Sequence, residues 1–196
     1  MTNPFVDLTL DTCISIHPNA MNNNIYEHIK NKLIATTNKR CFKDKGYIST
    51  IYDIVEEPKG GKLPPEDPNG TALYQVKFSC KMCRPQEGNF YVAKITGIIQ
   101  KLIIACCGPI KFIITTNNIN MNKISFVLKT SAYYPKNKNG EISQTPIELG
   151  TYVMIKLIKA QIIHNAEQII ASGMLDDVAS DDDIRNSIKF EFGHNV

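Results

Sequence analysis

The sequence predicts a mostly-β member of the α+β class, with a mixed N-terminal unit followed by a small antiparallel barrel. Three short apolar runs, at 90–99, 102–107 and 110–114, follow one another closely and are separated only by turn-type residues. Strands this short and closely spaced are typical of small barrels. In the N-terminal half, alternating apolar residues predict two extended regions. Between them, apolar residues at helical spacing predict one helix.

The N-terminal half contains one predicted helix between two extended regions. Residues 5–16 form the first strand, and residues 41–55 form a second extended region that is broken by Gly46. One of the asparagines at 22–24 is expected to cap the helix. The helix itself is indicated by four apolar residues that make a single stripe: Ile25, Ile29, Leu33 and Ile34.

Residues 56–70 contain four prolines and three glycines. This composition excludes a helix or an interior strand and predicts an exposed loop, which is too long to be a mere connector. Leu63 is the one apolar side chain in this loop, prolines aside. We interpret the loop as a projecting contact surface, and the alternative is a solvated linker.

The stretch before Arg84 alternates cleanly. One predicted face carries Val76, Phe78, Cys80 and Met82, and the other carries Lys77, Ser79, Lys81 and Cys83. Residues 84–88 then form a predicted hinge between two structural units, because proline cannot donate to an interior ladder and glycine permits a sharp turn.

Three further extended segments follow, and the last of them closes the predicted barrel. Residues 124–134, 151–163 and 167–175 are expected to be extended, and the grouping of strands fits a five-stranded OB fold. The acidic run that follows, at 176–183, is expected to be a solvated tail. Beyond it, alternation at 188–192 leaves open an added strand or a partner-binding segment.

Composition sets bounds on function. The net charge of +3 permits contact with nucleic acid without arguing strongly for it. No apolar run reaches the roughly 18 residues that a membrane helix needs, and no secretory signal is visible. Six cysteines are therefore expected to be reduced intracellular thiols.

The cysteines allow one alternative, a zinc or thiol site built on Cys80, Cys83, Cys106 and Cys107. Against it, the second pair is adjacent, and residues 80 and 83 of a regular strand point to opposite faces. The interpretation as one or two small buried hydrophobes and an exposed thiol is simpler. The four histidines lack metal-ligand spacing, and no phosphate loop or nucleophile elbow is present, so we expect no active site and no cofactor.

Several short motifs occur in a familiar order: Val76-Lys77-Phe78, Arg84-Pro85, Gly88 and Gly108-Pro109. This order resembles the stalk subunit family of multisubunit DNA-directed RNA polymerases, which includes the seventh subunit of eukaryotic polymerase II and its archaeal counterpart. Residues 61–64 before an acidic turn look like the tip loop of that family, 8–18 like its opening strand, and 171–177 like its closing strand. The resemblance covers about residues 5–177.

The resemblance implies a truncated RNP-like N-terminal domain with a projecting tip, over residues 1–84. An OB barrel over 85–177 and an acidic extension over 178–196 would follow. The tip would dock on the polymerase core, the two largest subunits being the expected contacts, and Leu63 would be its apolar anchor. The implied tip-loop residues are Lys59, Gly60, Gly61, Lys62, Leu63, Pro64 and Pro65.

The barrel would guide nascent RNA and support transcription initiation, while catalysis would belong to larger subunits. Family members usually pair with a small helical partner, the fourth subunit or its archaeal equivalent. The candidates for RNA contact here are Phe90, Lys94, Lys101, Lys111 and Lys123. The chain lacks the aromatic platform that supplies about 1–3 kcal/mol per stacked base, so weak guidance is expected rather than tight binding.

The composition, rich in Ile, Asn and Lys, favours a polymerase of a large DNA virus, and a protist enzyme is the alternative. The expected location is a viral factory or virion, or otherwise the nucleus. A free-standing OB-type RNA-binding factor in translation or RNA processing remains the alternative function. That factor would show aromatic residues on the outer barrel strands.

Overall fold

The computed structural model describes residues 2–43, 45–65, 69–99, 102–128, 130, 132–136 and 140–192, with side chains described up to residue 187. In chain order the elements are β1 (Phe5–Ile16), α1 (Ile25–Thr37), β2 (Arg40–Phe42), β3 (Gly46–Ile54), β4 (Lys59–Lys62), β5 (Ala72–Cys83), β6 (Phe90–Ile99), β7 (Leu102–Cys107), β8 (Ile110–Thr115), β9 (Ile124–Val127), β10 (Ala132–Pro135), β11 (Tyr152–Gln161), β12 (Ile169–Val178) and α2 (Asp181–Phe192).

The N-terminal unit is an antiparallel sheet in the order β1-β5-β3-β2, with β4 paired to the first half of β5. The alternation predicted for β5 is confirmed on its core face, where Val76, Phe78, Cys80 and Met82 are all 0% exposed. The helix α1 is confirmed as well, and it buries Ile29 and Leu33.

An asparagine occupies the N-cap position of α1, as predicted, but it does not cap the helix with its side chain. Asn24 occupies the N-cap position, but its side chain makes no capping hydrogen bond. The side chain of Asn22 is used instead, because its Oδ1 accepts the Asn24 backbone N–H at 2.9 Å. The turn before the helix is therefore fixed locally, and the stability of α1 comes from its buried apolar stripe.

The C-terminal unit is a closed barrel in the order β11-β12-β8-β7-β6. Strands β8 and β12 are parallel, and the other neighbours are antiparallel. Alternate residues point inward, and Ile110, Phe112 and Ile114 of β8 are fully buried. This closed five-stranded arrangement confirms the OB-like fold class expected from the turn spacing.

The prediction of one extended segment at 124–134 is wrong. It is a separate two-stranded hairpin, β9 paired with β10, and it contributes no strand to the barrel. Ile124 and Tyr133 pack into the barrel core, and the Tyr133 ring lies 4.9 Å from that of Phe126. The alternation of a strand persists on both sides of a reversal, so periodicity alone could not show where the chain turned back.

The predictions for the C-terminal segment, a solvated tail or an added strand, are wrong as well. Residues 181–192 form the helix α2, neither a solvated tail nor an added strand. The Ser180 N–H donates to Asp183 Oδ2 at 3.3 Å, and the Asp183 N–H donates to Ser180 Oγ at 3.3 Å. The Ser180 hydroxyl also donates to Asp183 Oδ2 at 2.6 Å. This is a capping box, and the aspartates in the first turn are favoured by the helix dipole. The side chains of 188–192, on which the strand interpretation rested, lie outside the described residues.

The two units are fastened together, so residues 84–88 are not a free hinge. Cys41 N–H donates to Ala166 O at 2.8 Å, and Asn165 N–H donates to Cys41 O at 2.8 Å. Gly88 N–H donates to Leu157 O, also at 2.8 Å. Cys83, one of the outward residues of β5, is 0% exposed because it packs into the barrel core. The expected exposed thiol at this pair is therefore wrong.

Candidate docking and nucleic-acid surfaces

The tip loop contains a short edge strand that the sequence did not predict. β4 pairs with β5 through Gly60 opposite Tyr74 and Lys62 opposite Leu73, which leaves Gly61 as an extra residue. An extra residue on one strand is a β-bulge, and bulges occur at sheet edges. Glycine excludes an interior strand more strongly than an edge strand, so the prediction of a loop throughout 56–70 was too broad.

Two glycines fix the geometry of this bulge. Gly60 has φ +126° and Gly61 has φ +75°, a region that other residues rarely adopt. A Cβ on Gly60 would lie 2.7 Å from Leu73 O, and one on Gly61 would lie 3.2 Å from the Tyr74 hydroxyl. The backbone therefore approaches β5 too closely for a side chain. The bulge therefore sets the direction in which the backbone leaves β4.

Leu63 is the first residue after β4, and 63% of it is exposed. Lys59, Lys62 and Pro65 are exposed beside it, and Pro64 is half-buried. At the base of the tip, Lys77 Nζ lies 2.6 Å from Glu56 Oε1. This hydrogen bond from Lys77 holds the pKa of Glu56 below its ordinary value. The tip thus presents one large apolar side chain among lysines.

The RNA-contact candidates are only partly brought together. On the outer face of the barrel, Lys94 of β6 and Lys111 of β8 are both opposite Cys106 of β7, so they share one row across three strands. Their backbones are two strand spacings apart, about 9–10 Å. Lys94 is exposed and Lys111 is half-buried. Lys101 lies outside the described residues.

Lys123 does not belong to this row. Its Nζ lies 2.7 Å from Asp176 Oδ2 and 3.7 Å from Asp177 Oδ2. Asn120 Nδ2 donates to the other oxygen of Asp176 at 2.8 Å. This lysine is a structural link between the segment before β9 and strand β12, and its charge is already balanced by carboxylates.

Phe90 lies at the far end of β6, opposite Lys156 of β11. The Lys156 Nζ is 5.8 Å from the centre of the Phe90 ring, and the Lys94 Nζ is 5.8 Å from that of Tyr152. Tyr152 and Lys156 were not predicted as site residues, although alternation along β11 places them on one face. These two cation–π pairs give the β6–β11 face alternating rings and ammonium groups.

Helix α2 partly covers this same face. It packs against β6. Val92 points out of the barrel, because its neighbours Tyr91 and Ala93 point in, yet it is only 3% exposed. Phe90 is half-buried as well, so the β6–β11 face offers no open stacking platform of the kind that single-strand binders use.

The cysteines are separated by the fold. Cys80 lies in the core of the N-terminal sheet, whereas Cys83 lies in the barrel core. Burial raises the pKa of the Cys80 thiol to about 11, which leaves little of the nucleophilic thiolate. Within the described residues, no group of three or more His, Cys, Asp or Glu side chains could hold a metal ion. Nor does any described helix have the length and apolar character to cross a membrane.

Comparison with known proteins finds similarity to one group of RNA polymerase subunits. Residues 13–68 match the model of the SHS2 domain found in the N terminus of Rpb7p, Rpc25p and MJ0397. A protein of Acanthamoeba polyphaga mimivirus, provisionally named a DNA-directed RNA polymerase subunit, is 26% identical over 177 residues, which cover 90% of this chain and 84% of that protein.

Two eukaryotic relatives agree with the viral one. The DNA-directed RNA polymerase II subunit rpb7 of Schizosaccharomyces pombe is 26% identical over 157 residues, 79% of this chain and 86% of that subunit. The RPB7 subunit of Glycine max is 22% identical over 173 residues, 88% of this chain and 93% of that subunit. With the SHS2 match and the OB-like barrel, these relatives show that the chain is similar to the Rpb7 subunits of DNA-directed RNA polymerases, and the mimivirus relative supports the expected viral origin.

Proposed function

We propose that this chain is a non-catalytic stalk subunit of a multisubunit DNA-directed RNA polymerase. It docks on the polymerase core through its tip, guides nascent RNA weakly along its barrel and supports transcription initiation. The observation that carries the proposal is the exposed Leu63, presented by a glycine-fixed bulge in a chain similar to the Rpb7 subunits.

The docking step follows from the chemistry of the tip. A leucine transferred from water into an apolar pocket contributes roughly 1.5–3 kcal/mol. The pairing of β4 with β5 holds the backbone before Leu63 in place, which reduces the conformational entropy lost when the tip binds. Lys59 and Lys62 would favour an acidic rim around the pocket. The two largest core subunits are the proposed partners, and a small fourth-subunit-like chain is a further one.

We propose three functional domains: the tip at 1–84, the barrel at 85–177 and the C-terminal extension at 178–196. Guidance of RNA falls to the barrel row of Lys94 and Lys111. If each neutralises one phosphate, the logarithm of affinity would fall against the logarithm of salt with a slope of only about −1.4. A slope this shallow suits a transcript that slides past.

The chain is proposed to contribute no catalytic residue. The buried Cys80 has a raised pKa, and His164 Nδ1 is occupied by the backbone N–H of Lys43 at 3.1 Å. Catalysis would lie in the larger subunits. The chain would work wherever that polymerase transcribes, in a viral factory or virion if it is viral and otherwise in the nucleus.

The test is affinity purification of the tagged chain from its native cells or virions, followed by mass spectrometry. We expect the two largest polymerase subunits in stoichiometric amounts with the tagged chain. Recovery of ribosomal proteins or bulk RNA without those subunits would overturn the proposal and favour the free-standing RNA-binding factor.

A further inference from the structure

A cleft of about 480 Å³ opens at the junction of the two units. Its walls are β1, the last turns of α1, β2 and the turn between β11 and β12. The cleft exists because Cys41 of β2 exchanges backbone hydrogen bonds with Asn165 and Ala166. Its volume lies within the range of roughly 300–1,000 Å³ that is usual for small-ligand sites.

The lining is basic. Lys32 and Arg40 contribute cations and His164 contributes an imidazole, and no aspartate or glutamate lines the cleft among the described residues. The Lys32 ammonium donates to Ser15 O at 2.5 Å and lies 3.3 Å from Ser15 Oγ. These contacts orient the ammonium at the cleft wall. Since an ammonium carries three N–H donors, one remains beyond these two contacts.

Arg40 is held in place by the barrel. Its Nη1 donates to Asn165 Oδ1 at 3.1 Å, and Asn165 is itself fixed in a left-handed conformation with φ +66°. A guanidinium has five N–H donors in a planar fork that matches the oxygens of a phosphate. The bond to Asn165 therefore orients the guanidinium and, among the described residues, leaves other N–H donors available.

His164 adds a donor on the same side. Its Nδ1 accepts the Lys43 backbone N–H at 3.1 Å, and its ring lies edge-on to Phe42 with 6.3 Å between centroids. An Nδ1 that accepts a hydrogen bond places the proton of the neutral ring on Nε2. The imidazole thus provides an N–H donor even when it is uncharged.

We propose that this junction cleft binds a phosphate group of single-stranded RNA, with Arg40 and Lys32 as its principal contacts. Two cationic side chains in one cleft, with no lining carboxylate among the described residues, select an anion, and the guanidinium fork favours phosphate. The connection between the last two barrel strands, β11 and β12, is one of the loops through which OB barrels contact oligonucleotides, and it supplies His164 and Asn165. The inference rests on the proposed guidance of RNA, and it extends that path from the barrel onto the tip unit.

The experiment uses the full chain and a fluorescein-labelled single-stranded oligouridine, with binding followed by anisotropy over a series of salt concentrations. Lys32→Gln and Arg40→Gln are each expected to weaken binding by about threefold to tenfold and to reduce the salt slope by about 0.7. Lys30→Gln is the matched control, because Lys30 is two residues away on α1 and pairs with Asp53 at 2.9 Å, outside the cleft.

A further variant, Lys94→Gln, separates this inference from the proposed function. Weakening by Lys94→Gln together with unchanged binding by Lys32→Gln and Arg40→Gln would overturn the cleft and leave the barrel path standing. Both the cleft and the barrel path would be overturned if the wild type showed no measurable binding, or if every variant bound RNA as tightly as the wild type. Displacement of the RNA by an acidic or phosphorylated peptide at lower concentration than by unlabelled RNA would overturn RNA as the ligand.

Discussion

The Nζ of Lys123 lies 2.7 Å from the Asp176 Oδ2 and joins the segment before β9 to the outer side of β12. The Asp176 side chain is only 14% exposed, and it also accepts a hydrogen bond from Asn120 at 2.8 Å. A lysine that looks like a nucleic-acid contact in the sequence therefore stabilises the fold.

Replacing Asp176 by Asn should lower the free energy of unfolding at neutral pH by about 1 kcal/mol, because it removes one charge from a partly buried, hydrogen-bonded pair. Urea unfolding measures this change. Asp177→Asn is the control, since Asp177 lies 3.7 Å from the same ammonium and its loss should matter less. Equal destabilisation by the two variants would contradict the assignment.

The same pair predicts a pH dependence. Partial burial opposes ionisation of Asp176, but hydrogen bonds from Lys123 and Asn120 outweigh it and hold the pKa of the carboxyl below its ordinary value of 3.8. A lowered acid pKa contributes stability that is present above the ordinary value and is lost as the pH falls through the folded-state value. The difference in unfolding free energy between wild type and Asp176→Asn should therefore shrink below about pH 4. A difference that grows on acidification would contradict the pair.

Gly173 of β12 predicts a second stability effect. A Cβ at this position would overlap Ile155 Cγ2 and lie 3.0 Å from Phe112 Cδ1 inside the barrel. Gly173→Ala should therefore destabilise the protein by roughly 1–3 kcal/mol through overpacking. In the matched control, Gly97→Ala, the added Cβ meets only ordinary contacts 3.6 Å from Ile104. Thermal unfolding that ranks the two variants in the opposite order would refute this packing.

The thiols should differ sharply in reactivity. Cys13 is exposed, whereas Cys41, Cys80 and Cys83 are buried. Because burial raises the pKa of Cys80 to about 11, only about one Cys80 thiol in a thousand is ionised at pH 8. Native-state alkylation with peptide mapping should label Cys13 first and Cys80 only after unfolding in urea. Labelling of native Cys80 as fast as Cys13 would reopen a thiol-based activity.

The sequence predicted the fold correctly where a segment kept one hydrophobic periodicity and was bounded by turn residues at both ends. The alternation of β5 and the punctuation around β6, β7 and β8 are examples, because each strand has one core face and ends at a glycine, proline or polar pair. The prediction failed where a non-local contact decides. β4 forms only because β5 offers an edge, and Cys83 is buried only because the barrel packs against it.

Other errors had a signal in the sequence. Ser180 and Asp183 are spaced as a capping box, which indicates a helix start more strongly than the acidic run indicates a tail. For the proposed surface contacts, the sequence could suggest Leu63 and Lys94, and the structure shows that both are exposed. It could not identify Arg40 with His164, because 123 residues of chain separate two groups that only the packing of the units brings into one cleft.

If the tip docks through Leu63, the affinity of the purified chain for its polymerase core must depend on this side chain. Leu63→Asp should weaken that binding by roughly 10- to 150-fold, the equivalent of 1.5–3 kcal/mol for a buried leucine. Leu149→Asp is the matched control, because Leu149 is 66% exposed, close to the 63% of Leu63, and lies before β11 on the barrel unit. We expect a large loss of affinity for Leu63→Asp and none for Leu149→Asp. Wild-type affinity in Leu63→Asp, with its fold intact, would contradict the claim.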